Sequence, residues 1–220
     1  MYKRQLQACL ALSRNLGGKY ILGLSVQARQ YNQKSDIKFL ADKGSTSVYQ
    51  MLGLGMDYVR FASSQTSSRY TGSGIGGSID LLPISKHGEC NGFSASLRTD
   101  YFHLTKELVS VNYAPINEVR NVNVSLESAW TRRNREWEYG VRLLAAIQQR
   151  TGIENIFGDP TGNVYPKISS VDQFKNTTLQ AALKGMIGQR LNENRHWGWT
   201  LLPTVSYGQT KPCLLYTSPS

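Results

Sequence analysis

Apolar and polar residues alternate with a period of two along most of the chain, the signature of strands with unlike faces. In 19–30, Tyr20, Leu22, Leu24, Val26 and Ala28 share one face, while Gly23, Ser25, Gln27 and Arg29 share the other. In 91–103, Phe93, Ala95, Leu97 and Tyr101 oppose Ser94, Ser96, Arg98 and Asp100. In 119–130, Val122, Val124, Leu126 and Trp130 oppose Asn121, Asn123, Ser125 and Glu127. Runs 137–148, 176–187 and 197–207 repeat the pattern, and 5–13 and 74–84 are shorter strand-like runs. Ile21, Leu144, Met186 and Leu202 blur the polar face, but no helical period competes. Eight strands are predicted.

The connections also alternate. RNLGG, SKHGEC, TRRNRE and LNENR are short, whereas 31–73, 104–118 and 150–173 are long and turn-rich, the last containing GDPTGN. Three short turns place Asn and Arg in the turn and an aromatic just after it. This predicts an all-β, antiparallel, up-and-down architecture. Long strands with one apolar face and one small, mostly uncharged polar face suit a transmembrane β-barrel, in which tilted strands of ~9–11 residues cross the bilayer. Such barrels carry short turns at the periplasmic end, longer loops outside and aromatic girdles between. Tyr20, Trp130, Trp137, Tyr139, Trp197 and Trp199 all fall beside short turns, where a girdle would sit. The expectation is part of an outer-membrane β-barrel, non-enzymatic, acting as a pore, a transport-associated protein or a surface binder. Alternation does not say which face is wet. The alternative is therefore a soluble β-barrel whose apolar face encloses an apolar ligand.

Composition narrows these readings. Charged residues make up 18%, against 62 Ser, Thr, Asn and Gln side chains. The longest aliphatic run, 143–147, is far too short for the ~20 apolar residues of a membrane-spanning helix. Aromatic and β-branched residues spread throughout exclude a disordered chain. The last eight residues, Cys213–Ser220, read CLLYTSPS, which resembles the translation of a sequencing-library adapter. On that reading 1–212 is the natural part, a partial barrel whose gene continues further, and 213–220 is foreign. Lys3 and Arg4 ahead of LQACLALS faintly resemble a signal peptide, but Gln7 interrupts the apolar stretch and a strand is the preferred reading. Cys9 and Cys90 then remain, with neither zinc spacing nor C-x-x-C.

Motifs that carry chemistry were tested against the context each requires. Gly72, Gly74 and Gly77 spell G-x-G-x-x-G, but SIDLLP follows where a dinucleotide site needs a helix. Glycines at a barrel bend or strand start are expected instead, and no cofactor. His87, His103 and His196 are far apart and lack metal-ligand spacing. An outer-membrane hydrolase would need a serine and an acid beside a histidine, and His103 is the one candidate. The net charge of +10 is spread over turns and strand ends. Contacts with anionic headgroups or lipopolysaccharide in a lipid bilayer account for it more simply than nucleic acid. Arg29, Arg98, Arg142 and Lys184 fall on polar faces and would project into a lumen, either attracting anions or pairing with Asp100, Glu127 and Glu138.

The stretch from about 70 to 207, with NVNVSLESAW–turn–WEYGVRLL, IENIFGDPTGNVY and HWGWTLLPTVSYG, resembles an uncharacterised family of outer-membrane β-barrel proteins of Bacteroidetes-type bacteria, a domain of unknown function. The resemblance implies an outer-membrane barrel and no activity.

Overall fold

The computed structural model describes residues 2–38, 49–50, 57–58, 65–84, 91–109, 112–134, 136–159, 161–162, 164–189 and 198–214. Its strands are β1 (Tyr2–Leu16), β2 (Tyr20–Lys38), the short β3 (Tyr49–Gln50) and β4 (Asp57–Tyr58), β5 (Gln65–Pro83), β6 (Gly92–Leu108), β7 (Ala114–Arg133), β8 (Trp137–Phe157), β9 (Lys167–Gln189), β10 (Trp199–Leu201) and β11 (Thr204–Leu214). One antiparallel sheet runs β1-β2-β5-β6-β7-β8-β9, and β10 and β11 together line the far edge of β9. Their break falls at Leu202 and Pro203, where the Pro203 carbonyl accepts from the Gly185 N–H at 2.8 Å. Proline cannot donate to a ladder, so an edge position suits it. The all-β, up-and-down architecture is thus present, with eight long strand lines. The sheet is open, with β1 and β10–β11 as its edges among the described residues. No described helix is long and apolar enough to cross a membrane, which says nothing about strands.

The strands run further than alternation predicted. Much of 31–73, 104–118 and 150–173, expected as loop, is strand: β2 continues to Lys38, β6 to Leu108 and β8 to Phe157, while β5 starts at Gln65 and β9 at Lys167. In these extensions apolar residues such as Leu104, Leu108, Ile153 and Phe157 no longer alternate regularly with polar ones, so the sequence shows no period although the backbone ladder goes on. Gly72, Gly74 and Gly77 consequently lie within β5, not at its start or at a bend. The β1–β2 turn needs glycine: Gly17 and Gly18 have φ of 60° and 69°, and the Asn15 side chain accepts from the Gly18 N–H. Cys213 and Leu214, the first residues of the adapter-like segment, continue β11 opposite Lys175 and Phe174.

Register aligns the faces from edge to edge. Leu12, Leu24, Ile79, Leu97, Leu126, Ala145, Ala181 and Tyr207 form one unbroken row across all eight strand lines. The opposite face of the sheet carries Ser25, Ser78, Arg98, Ser125, Ala146, Gln180 and Gly208 in a neighbouring row. The apolar face is the open one: Leu24 is 47% exposed, Ile79 50% and Leu183 50%. Ser25, Ser78, Ser125 and Ala146 are only half-exposed or less. Arg98, Gln180 and Gly208 of that row are exposed, but they line a depression together with Ser125 and Ala146, so the polar side is the concave one.

The apolar band is also oblique to the rows. On β1 its upper limit is Leu6, level with Gln30; on β11 it is Tyr207, level with Leu24. The lower limit falls in the same direction, from the row of Leu16 and Tyr20 to the row of Trp137 and Trp199. A fall of six residues, ~20 Å, over seven strand spacings of ~4.8 Å inclines the band by about 30° to the hydrogen-bond direction. Buried apolar residues gather elsewhere, where Leu108, Ala114, Ile116 and Phe157 pack together with Tyr165 against them.

The polar face depends on Gly74. A Cβ there would lie 2.8 Å from the Tyr101 carbonyl and 2.9 Å from both Arg29 Nε and a Phe102 ring carbon. At Gly77 it would meet only the Ser25 carbonyl, at 3.2 Å. Gly74→Val is expected to destabilise the protein by about 1–3 kcal/mol and Gly77→Ala by clearly less. Unfolding midpoints in urea check both, and equal losses would refute this account of β5.

Candidate functional site

Two regions concentrate polar chemistry: the concave polar face and the end of the sheet where the strands outrun the apolar band. On the polar face, β6, β7, β8, β9 and β11 enclose a depression of about 480 Å³ lined by Ser96, Arg98, Ser125, Glu127, Gln180 and Ser206 among others. These residues share the face because strand register puts them there.

Arg29, Arg98, Arg142 and Lys184 all lie on this face, as expected. Arg29 on β2 reaches across β5 to Asp100 on β6, with 2.5 Å between Nη2 and Oδ2, and its guanidinium stacks over Phe102 at 4.7 Å. Only because Gly74 and Gly76 intervene can that side chain lie flat on the sheet. Arg142 pairs with Glu127 at 2.5 Å. Arg98 donates to Ser96 at 3.3 Å, and Asp80 accepts from Ser78 and Ser96 at 2.6 and 2.5 Å. Glu138, expected to serve a lumen cation, takes Arg133 instead, at 2.7 Å. Lys184 stands opposite Arg142 with no ion-pair partner among the described residues. The face is thus a set of crossed ion pairs and hydroxyls with a local excess of positive charge.

The aromatic residues gather on the outward face at the short-turn end. Trp130 and Tyr139 approach to 5.8 Å between ring centroids, and Trp137 meets Trp199 edge-to-face at 6.0 Å. Tyr20 stands level with Leu16 and Pro83 in the lowest apolar row of β2. Trp197 lies outside the described residues, as do His87 and His196.

At the opposite end, beyond the apolar band, Glu118 organises a buried network that sequence reasoning missed. Its carboxylate accepts from Asn155 Nδ2 at 3.0 Å and Lys167 Nζ at 3.2 Å, and lies 2.9 Å from His103 Nε2. Asn155 is fully buried and also donates to the Pro115 carbonyl at 2.6 Å. Burial raises the Glu118 carboxyl, but hydrogen bonds from Asn155, His103 and Lys167 outweigh that and hold it below the ordinary carboxylate range. Four strand lines are tied together here; Glu118, Asn155 and Lys167 come from segments without alternation, so no sequence signal marked them, whereas His103 ends the alternating run 91–103. His103 therefore contacts an acid; no hydrogen bond joins it to a serine among the described residues, although Ser73 faces it in register. No group of three or more His, Cys, Asp or Glu is placed to hold a metal among the described residues.

Residues 1–218 match one protein family. The chain belongs to DUF6850, a family of unknown function. No curated protein and no solved structure matches it. For this DUF6850 chain the uncharacterised-domain part of the sequence resemblance therefore stands, and any role must be argued from the two regions above.

The lowered pKa of Glu118 fixes the sign of its pH dependence. The stabilisation is fully present above the unfolded-state carboxylate pKa and is lost as pH falls through the folded-state value. Amide exchange near Ile116 and Asn155 should accelerate on acidification within that window. Glu118→Gln should speed it at neutral pH by the equivalent of about 1–3 kcal/mol, since Lys167 loses its counter-ion, and should flatten the acid response. An unchanged acid response in the variant would remove Glu118 from the account.

Proposed function

We propose that this DUF6850 chain forms wall of an outer-membrane β-barrel, with its apolar face against lipid and its polar face toward a water-filled interior. The observation that carries this reading is the inversion of the faces: the apolar side of the sheet is convex and exposed, and the polar side is concave. About two dozen large apolar side chains of the band are more than a third exposed. Full burial of each is worth ~1.5–3 kcal/mol, so leaving them wet would forfeit on the order of 20 kcal/mol. That exceeds the net stability of ~5–15 kcal/mol of most domains. Something apolar covers this face.

Lipid fits it in three respects. The outward apolar runs are 9–11 residues long, such as Tyr20–Ala28 and Trp137–Ile147, the length of a tilted spanning strand. The band crosses the ladder at about 30°, as a planar slab must when it cuts tilted strands, and barrel strands tilt by ~35–45°. Aromatic rings edge the band at the short-turn end. In lipid the edges of β1 and β10–β11 also need backbone partners, because unpaired amides there cost several kcal/mol each. The wall is non-enzymatic and serves as a pore, a transport element or a surface-binding platform. A soluble barrel around an apolar ligand would need the opposite curvature.

Cysteine accessibility tests this directly. In a background with Cys9, Cys90 and Cys213 replaced by Ser, Leu24→Cys, Val124→Cys and Leu183→Cys should resist a membrane-impermeant maleimide in lipid vesicles. Ser125→Cys and Gln180→Cys should react. A protein that stays monomeric without detergent and labels equally on both faces would overturn the membrane reading. Val124→Arg should cost about 2–4 kcal/mol in bilayers, where Ser125→Arg costs far less; equal costs measured by urea unfolding in vesicles would count against it. Conductance across planar bilayers then separates a pore from a closed wall.

A further inference from the structure

Cations on the outward face are distributed unevenly, and the pattern follows the apolar band. At the end where the strands outrun the band, Arg4 on β1, Lys34 on β2, Lys175 on β9 and Lys211 on β11 point outward, each exposed. Each lies two to six residues beyond the last side chain of the apolar band on its own strand: Leu6, Ala28, Leu179 and Tyr207 respectively. The ladder places Lys175 level with Arg120 through Thr151, and Lys211 one outward position lower beside Thr177. On β2 the cation stands higher, opposite Arg69. The cations thus descend from β2 to β11 in the same sense as the band itself. They form a belt parallel to the band's margin, not to the hydrogen-bond rows.

The belt is also charged in excess. Of the outward acids at this level, Glu107 is engaged by Arg69 at 2.6 Å and Glu118 by Lys167 and His103, while Asp172 on β9 is exposed on the same face and the cations outnumber it. None of the four cations has an ion-pair partner among the described residues. The short-turn margin differs in kind, being edged by Trp130, Trp137, Tyr139 and Trp199.

We propose that this belt docks the phosphate groups of lipid A in the outer leaflet, an inference that rests on the membrane reading above. Charge complementarity carries it. Ammonium and guanidinium groups are concentrated along one margin, with Arg14 and Arg132 at the other, and that cation-rich margin is the long-loop end, which faces outward in outer-membrane barrels. Cations at such a level are attracted to anionic headgroups within a Debye length, so the interaction weakens with salt.

The test uses the full chain reconstituted in phosphatidylcholine vesicles containing a minor fraction of lipid A or, separately, of phosphatidylglycerol. Insertion is scored by resistance to carbonate extraction, and lipid retained after detergent exchange is quantified by phosphate. Wild type should retain lipid A about tenfold more than phosphatidylcholine predicts, falling with salt. Arg4→Gln/Lys34→Gln/Lys175→Gln/Lys211→Gln should lose that excess while still inserting. Arg14→Gln/Arg132→Gln, at the aromatic end, should keep it. Inserted wild type without lipid A enrichment, an unaffected quadruple variant, or equal enrichment of phosphatidylglycerol would each overturn the belt alone. Failure to insert in any vesicle would overturn the membrane reading together with it.

Discussion

A strand sends successive side chains to opposite sides, and an antiparallel ladder locks that choice from one strand to the next. In this chain the ladder runs without a face reversal through the banded part of eight strand lines. One slip of a single residue at any pairing would turn the following rows inside out. The three register irregularities among the described residues, at Lys106/Glu107, Gly152/Ile153 and Ile156/Phe157, all lie beyond the apolar band. Within the band, where a slip would put Leu or Val among the ion pairs, pairing is regular. Bulges are confined to where faces no longer differ, and there they bend the sheet around Glu118 and the small core of Leu108, Ile116 and Phe157.

The polar side depends on the same constraint for a different reason. Ion pairs on a concave sheet must lie flat to fit, and β5 supplies the flat ground. Gly72, Gly74 and Gly76 remove side chains just where Phe102, Arg29 and Gln27 fold across from neighbouring strands. Arg29 then meets Asp100 two strands away instead of projecting into the interior. Arg142 and Glu127 do the same from adjacent strands. The polar face is consequently less a row of free charges than a cross-braced surface, with Lys184 the exception.

How much of this the sequence revealed follows from where its two faces differ. Wherever Leu, Val or Ile alternated with Ser, Asn or Gln, both the strand and its face could be read, and the apolar-face aromatics and the polar-face position of Arg29, Arg98, Arg142 and Lys184 came with them. Beyond residues such as Ala28, Ile147 and Leu179 the regular alternation stops, and strand becomes indistinguishable from loop by pattern alone. The Glu118 network lies in those stretches, assembled from β6, β7, β8 and the start of β9, so its members share no spacing. The glycines of β5 were visible as a motif, but their purpose depends on side chains from β2 and β6.

The order of the strands has a kinetic corollary. Every long strand pairs with its predecessor in the chain, so folding can proceed by adding one hairpin arm at a time to a growing template. Closing a turn such as Gly17–Lys19 carries little entropic penalty, whereas joining β2 to β5 requires closure across the 39–64 connection, which includes β3 and β4. Loop-closure cost rises only as ~(3/2)RT ln n, yet this is the longest gap along the path. Nucleation is therefore expected in the contiguous β5–β9 meander, with the β1–β2 hairpin docking onto it afterwards.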